Sequence, residues 1–102
     1  MNDWGSRDDD PDFHKWARQV KINNSFTCEI CDSKGGYLEA HHLNSWDIHP
    51  NERYDLDNSA CLCGFCHRRF HETYGYGKNT KYQYAEYKEV ADVLKSIINK
   101  VL

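Results

Sequence analysis

The sequence lacks any apolar run close to the ~20 residues that a membrane-spanning helix requires. It also lacks a basic and then apolar opening segment of the kind that directs secretion. Hydrophobic residues make up 39% of its 102 positions, which is too little for two domains or for a large enzyme with a deep pocket. These absences predict one small soluble domain in the cytosol, with no membrane partner.

The sequence also has no excess of positive charge, since its formal net charge is −3. Five aspartates and a single arginine give residues 1–12 a charge of −4, so the rest of the chain sums to +1. The aspartates are Asp3, Asp8, Asp9, Asp10 and Asp12. The net charge is therefore a poor guide to nucleic-acid binding, although the lack of a basic arm predicts weak binding outside a specific site. Residues 1–10 contain few apolar side chains, which predicts a flexible acidic N-terminus of unassigned purpose.

Cysteine and histidine are abundant instead, with five cysteines and six histidines in this short chain. An odd number of cysteines fits poorly with a complete set of disulfides, and the cytosol keeps thiols reduced. A small core that needs additional stabilisation in that compartment points to bound metal.

The spacing of apolar residues predicts an α+β chain in which a short hairpin lies between helices. Asp10 followed by Pro11 is typical of a helix N-terminus, and an apolar stripe from Phe13 to Val20 follows it. The predicted elements are a helix from Pro11 to about Asn23, a strand over 37–43, a loop over 44–57, a strand over 59–62, a helix from Cys66 to about Tyr74, a loop over 75–81 and a helix over about 83–101. The last helix has a broad apolar face made of Tyr84, Tyr87, Val90, Ala91, Leu94, Ile97, Ile98 and Val101.

Two C-x-x-C pairs, Cys28/Cys31 and Cys63/Cys66, lie 32 residues apart, counted from Cys31 to Cys63. Four thiolates in two such turns suit tetrahedral zinc, because each turn presents two sulfurs to a shared ion. The alternative interpretation is two unrelated thiol pairs, each of which could be a redox site. Cys61 belongs to neither pair and is expected to be a small buried apolar residue.

Four histidines form a second set. His67 and His71 are four residues apart on a predicted helix, so both imidazoles face one side and can bind one ion. His41 and His42 are adjacent on a predicted strand, so their side chains point to opposite faces. If one of these two joins the helical pair at a metal, the other is free for different chemistry. A single histidine is easily explained as a surface or core residue, but four in this arrangement beside a cysteine site favour an active site.

The residues around these positions resemble the HNH nuclease motif. The matching segments are Leu38-Glu39-Ala40-His41-His42-Leu43, Asn58, and Leu62-Cys63-Gly64-Phe65-Cys66-His67-Arg68-Arg69-Phe70-His71. Fifteen residues separate His42 from Asn58, eight separate Asn58 from His67, and three separate His67 from His71. The sequence is similar to phage and homing-type HNH endonucleases, in which a four-cysteine zinc site braces a ββα-metal core. The resemblance covers about residues 26–75 and implies a single nuclease domain over residues 11–102.

This resemblance also implies a role for each site residue. His41, His67 and His71 would hold a catalytic divalent cation, and His42 would be the general base. Asn58 would pin the loop that aims the base without binding metal, although an ordinary turn asparagine is the alternative. The ligands of the structural zinc would be Cys28, Cys31, Cys63 and Cys66.

The implied reaction is hydrolysis of DNA phosphodiester bonds to 5′-phosphate and 3′-hydroxyl ends, by nicking or by double-strand cleavage. A single catalytic cation, Mg²⁺, Mn²⁺, Zn²⁺ or Ni²⁺, would stabilise the leaving oxygen. His42, which is neutral near pH 7, would take a proton from the attacking water. The family implies the cytoplasm of a bacterial or phage-infected cell, and we expect a monomer.

Five basic residues are candidates for contacts with DNA phosphates: Arg68, Arg69, Arg53, Lys78 and Lys81. The first two directly follow His67, so either could clamp the scissile phosphate. Since no base-reading helix is evident, specificity is expected from DNA shape or from a protein partner such as the phage packaging machinery.

Two other functions remain open at this stage. A non-catalytic zinc module that binds nucleic acid or protein would have no need of a second histidine beside a metal ligand. A thiol redox protein would be purified without zinc and would leave His67 and His71 unexplained.

Overall fold

The computed structural model describes Arg7 and residues 9–101, except for the side chain of Val101. Its elements are helix α1 (Pro11–Asn23), strand β1 (Leu38–His42), a 3-10 turn (Pro50–Glu52), strand β2 (Ser59–Cys63), helix α2 (Gly64–Tyr74) and helix α3 (Lys81–Val101). The strands form an antiparallel hairpin, which confirms the predicted α+β class with a hairpin-and-helix core between terminal helices. The predicted flexible N-terminus falls largely on residues 1–6 and 8, which lie outside the described residues, so it stays a prediction.

Helix α1 begins as the sequence predicts. The side chain of Asp10 accepts a hydrogen bond of 2.9 Å from the backbone N–H of Asp12, and Pro11 occupies the first helical position. Trp16 and Val20 form the buried face of the helix. Both residues pack with Leu38 of β1, so α1 covers one face of the hairpin.

Strand alternation divides the core into two parts. On the α1 face, Cys61 is fully buried beside Trp16 and Val20, which confirms its predicted role as a small apolar residue. On the other face, Leu62 packs with Phe70 of α2. Because His41 pairs with Ala60 and His42 with Ser59, the two histidines lie at the end of the same hairpin but on opposite faces.

Helices α2 and α3 both begin two residues before their predicted starts, because side chains cap them. The thiol of Cys63 accepts a hydrogen bond of 3.4 Å from the backbone N–H of Cys66, which brings the start of α2 forward. Ahead of α3, the backbone N–H of Thr80 donates to the side chain of Gln83 and the backbone N–H of Gln83 donates to the Thr80 hydroxyl, at 3.1 and 3.4 Å. This reciprocal capping box fixes the first turn of α3.

The apolar face of α3 contacts the core over its first half only. Tyr84 is buried, and Tyr87 and Ala91 pack against the same cluster. Five apolar residues are instead 51–54% exposed: Val90, Val93, Leu94, Ile97 and Ile98. The 21-residue α3 is about 30 Å long at 1.5 Å per residue, whereas the 11-residue α2 beneath it is about half as long. Val101, the last residue of the predicted face, has its side chain outside the described part of the chain.

Within the described residues, none of the helices combines the length and the hydropathy needed to cross a membrane.

Candidate metal centres and active site

The four paired cysteines meet at one point. Cys28 and Cys31 lie in the turn before β1, Cys63 ends β2, and Cys66 lies in the first turn of α2. One sulfur from each of the four lies within 4.8 Å of the others, and the sulfurs of Cys31 and Cys63 are 3.8 Å apart. Sulfurs bound at 2.3 Å to one tetrahedral zinc ion would be about 3.8 Å apart. The cluster therefore fits a metal ion held by four thiolates.

The thiol of Cys31 has a lowered pKa. Although burial raises the pKa of Cys31, its hydrogen bonds with Ser33 outweigh that effect and bring the pKa to about 7. Burial raises the pKa of Cys66. Since the thiolate is the form that binds metal, an ion at this site would displace the proton of Cys31 more easily than that of Cys66.

Three histidines converge on the opposite side of the hairpin end from α1. The Nε2 atom of His67 lies 3.2 Å from Nδ1 of His41 and 3.1 Å from Nε2 of His71. Ring nitrogens bound at about 2.1 Å to one tetrahedral ion would be about 3.4 Å apart. The chemistry and spacing of this donor set fit one divalent cation.

The other ring nitrogens of the helical pair are held by oxygen acceptors. Nδ1 of His67 contacts a carboxylate oxygen of Glu39, and Nδ1 of His71 donates to the backbone oxygen of Gly75 at 2.9 Å. These partners fix the tautomer in which each Nε2 carries a free lone pair, which is the form that a metal ligand needs. Sequence reasoning missed Glu39, although its position two residues before His41 places it on the same strand face.

Burial favours the neutral form of two members of the cluster. Burial, followed by the neighbouring His67 and His71, lowers the pKa of His41 to about 2. Burial also lowers the pKa of His71. Neutral imidazoles at physiological pH are ready to bind a cation.

His42 lies on the α1 face, in contact with aromatic side chains. Its ring stacks on that of Trp16 with centroids 3.9 Å apart and an interplanar angle of 13°, and the Trp46 ring meets it edge-on at 5.6 Å. Nε2 lies 2.8 Å from the backbone oxygen of Arg53. Because a carbonyl oxygen only accepts, Nε2 carries the proton and Nδ1 is the basic nitrogen. Burial, as the largest cause, lowers the pKa of His42 to about 4, so the ring is neutral at pH 7.

Asn58 is buried and joins the two ends of the loop between the strands. Its Oδ1 accepts from the backbone N–H of Asn44 at 2.7 Å, and its Nδ2 donates to the backbone oxygens of Asn44 and Glu52 at 3.0 and 3.1 Å. Glu52 directly precedes Arg53, whose carbonyl oxygen holds His42. The asparagine thus fixes the segment that orients this histidine.

The four histidines share one cavity of about 360 Å³. Its lining consists of Arg7, Ala40, His41, His42, Ser45, Trp46, Asp47, His67, His71, Tyr76, Gly77 and Asn79. Tyr76 closes one side by stacking on His71, with ring centroids 4.9 Å apart. A donor set that could hold a cation and a fourth, neutral histidine therefore face the same space.

None of the five basic residues predicted to contact DNA lines this cavity. Arg68 and Arg69 are exposed on α2, and Arg69 lies over the ring of Phe65. Arg53 donates to the backbone oxygen of Trp46 at 2.9 Å and lies over its ring. Lys78 and Lys81 lie on the loop that leads into α3 and at its start. Sequence reasoning missed Arg7, which does line the cavity, because no motif marks it.

Residues 28–73 match the family model of the HNH endonucleases. The matched segment contains both C-x-x-C pairs, the hairpin and the three clustered histidines, but not α1 or α3. Comparisons with the curated proteins and with the solved structures found no match. Residues 28–73 are thus similar to the HNH endonucleases, and both clusters that could hold a metal ion lie within this segment.

Proposed function

We propose that this protein is a metal-dependent endonuclease that hydrolyses DNA phosphodiester bonds to 5′-phosphate and 3′-hydroxyl ends. The observation that carries the proposal is the shared cavity, where a three-histidine donor set faces a fourth, neutral histidine. General-base hydrolysis needs these two parts within reach of one phosphate.

Two metal ions of different purpose are part of the proposal. A structural zinc would be held by Cys28, Cys31, Cys63 and Cys66. A catalytic Mg²⁺, Mn²⁺, Zn²⁺ or Ni²⁺ would be held by His41, His67 and His71. When bound, the catalytic cation supplies Lewis-acid stabilisation of the charge that develops on the leaving 3′-oxygen.

The chain's own residues perform the proton transfer. His42 accepts a proton at Nδ1 from the attacking water, while Nε2–H stays bonded to the carbonyl oxygen of Arg53. The stack against Trp16 restricts rotation of the imidazole. Asn58 acts on His42 indirectly, because it fixes the backbone of Glu52, the residue before Arg53. The basic residues outside the cavity, Arg53, Arg68, Arg69, Lys78 and Lys81, would contact flanking phosphates.

Plasmid cleavage tests the proposal directly. Supercoiled plasmid is incubated with the purified chain and Mg²⁺, Mn²⁺, Zn²⁺ or Ni²⁺, with and without chelator, and nicked and linear products are counted. We expect cleavage that the chelator abolishes and that His42→Ala nearly abolishes. His14→Ala, an exposed histidine outside the cavity, is the matched control and should cleave like the wild type. Binding of DNA or of a protein without cleavage under any metal would favour a non-catalytic zinc module instead.

A further inference from the structure

We propose that Arg7 binds the phosphodiester that is cleaved, so that the segment ahead of α1 forms part of the nuclease site. The inference rests on the proposed function and adds a residue to it. Among the described residues, Arg7 is the one arginine or lysine that lines the cavity shared by the four histidines.

Aromatic side chains hold Arg7 at the histidine base. Its guanidinium carbon lies 5.6 Å from the ring centroid of Phe13 and 5.7 Å from that of Trp46, both within cation–π range. The same two rings contact His42, at centroid distances of 6.2 and 5.6 Å. Arg7 is therefore placed beside the base, on the side of the cavity that α1 covers.

A phosphodiester bound in this cavity carries a negative charge, and the described residues of the lining include no second arginine or lysine to balance it. Asp47 is the acidic residue of the lining. The carboxylate of Asp47 is directed at the backbone N–H of Lys78, at 2.9 and 3.2 Å, and at the hydroxyl of Ser45. A planar guanidinium suits a phosphodiester, because its parallel N–H groups can bond both non-bridging oxygens.

Neither of the arginines beside His67 offers this geometry. Arg68 and Arg69 are exposed and lie outside the cavity lining. Arg7 lies outside residues 28–73, so the matched HNH segment does not contain it. Arg7 would then supply the cavity with a positive charge that no arginine or lysine of the matched segment, residues 28–73, supplies there.

Two measurements on the full chain test the role of Arg7. The first is kcat/KM for plasmid cleavage by the wild type, Arg7→Ala, Arg7→Lys and Arg18→Ala. Arg18 is an exposed arginine on α1 outside the cavity, and it is the matched control. The second is calorimetric binding of thymidine 3′,5′-bisphosphate, which requires no turnover. Circular dichroism and metal content establish that each variant is folded and loaded.

We expect Arg7→Ala to lower kcat/KM and bisphosphate affinity by about 10- to 100-fold, as for loss of a hydrogen bond to a charged group. Arg7→Lys should recover part of the loss, and Arg18→Ala should match the wild type. Cleavage and binding by folded Arg7→Ala at the level of Arg18→Ala would overturn the inference while the nuclease proposal stands. If the wild type cleaves nothing but its bisphosphate binding still depends on Arg7, the nuclease proposal fails and the phosphate site stands. If neither measurement depends on Arg7, the inference fails whatever the wild type does.

Discussion

His41 and His42 are consecutive residues whose side chains face opposite sides of one strand. His41 lies 3.2 Å from His67, within the three-histidine cluster, whereas His42 stacks on Trp16. Strand geometry alone imposes this division, since successive side chains alternate between faces. The division gives two adjacent residues of the same type different chemistry.

Substitution of each residue separates the two roles. His42→Ala should keep both metals and the fold but lose about 10²–10⁴-fold in cleavage rate, because it removes the proposed general base. His41→Ala should weaken the catalytic cation, so that added metal partly restores its cleavage. Cleavage measured against metal concentration for the two variants checks this. Metal rescue of His42→Ala, with none for His41→Ala, would exchange their roles.

Asn58 acts through the backbone. Asn58→Ala removes three hydrogen bonds that tie Asn44 to Glu52, so the carbonyl oxygen that orients His42 is no longer fixed. A base displaced by about 1 Å can lower the rate ~100-fold, and we expect a loss of that order. Metal content per chain, measured after dialysis, should stay at the wild-type value. Stoichiometric loss of metal would instead make Asn58 a ligand.

At the level of elements, the sequence predicted the site residues that follow a local spacing, but not those whose place depends on packing between distant segments. The C-x-x-C pairs and the four-residue spacing of His67 and His71 are local, so the sequence alone placed these ligands together. Arg68 and Arg69 are adjacent to His67, but successive helix residues are rotated by about 100°, which turns them out of the cavity. The place of Arg7 depends on its contacts with Phe13 of α1 and with Trp46, and no local pattern encodes such contacts.

The two halves of α3 should differ in their contribution to stability. The described side chains that a chain ending after Lys95 would lose, those of residues 96–100, are all exposed, so its melting temperature should change by a few degrees at most. Tyr84→Ala removes a buried ring that packs on Phe70 and donates a 3.0 Å hydrogen bond to Glu29. That change should cost about 3–5 kcal/mol, the range for an aromatic-to-alanine substitution in a core. Thermal denaturation of both variants checks the contrast, which equal losses would contradict.

At the scale of the whole molecule, the cysteine cluster joins parts of the chain that the hairpin alone would not hold. Cys28 and Cys66 belong to the same buried cluster as Leu62, Phe70 and Tyr84. Their thiols therefore connect the turn before β1, the end of β2 and the start of α2 to the core. A metal ion bound there would stabilise the fold as a whole, because two of its four ligands, Cys28 and Cys66, are buried in that core.

Loss of one ligand from this cluster should therefore unfold the chain and not merely slow it. Cys28→Ser removes a thiolate from a site that, by analogy with zinc-finger peptides, contributes on the order of 10 kcal/mol to folding. Cys61→Ala, in a fully buried cysteine outside the cluster, is the matched control and should cost only about 1–2 kcal/mol. Circular dichroism and zinc content after dialysis distinguish the two: we expect Cys28→Ser to lose zinc and helical signal together, and Cys61→Ala to keep both. A folded, zinc-free Cys28→Ser chain would mean that the core holds the hairpin without the metal. Equal damage from both substitutions would mean that the cysteines have been paired wrongly.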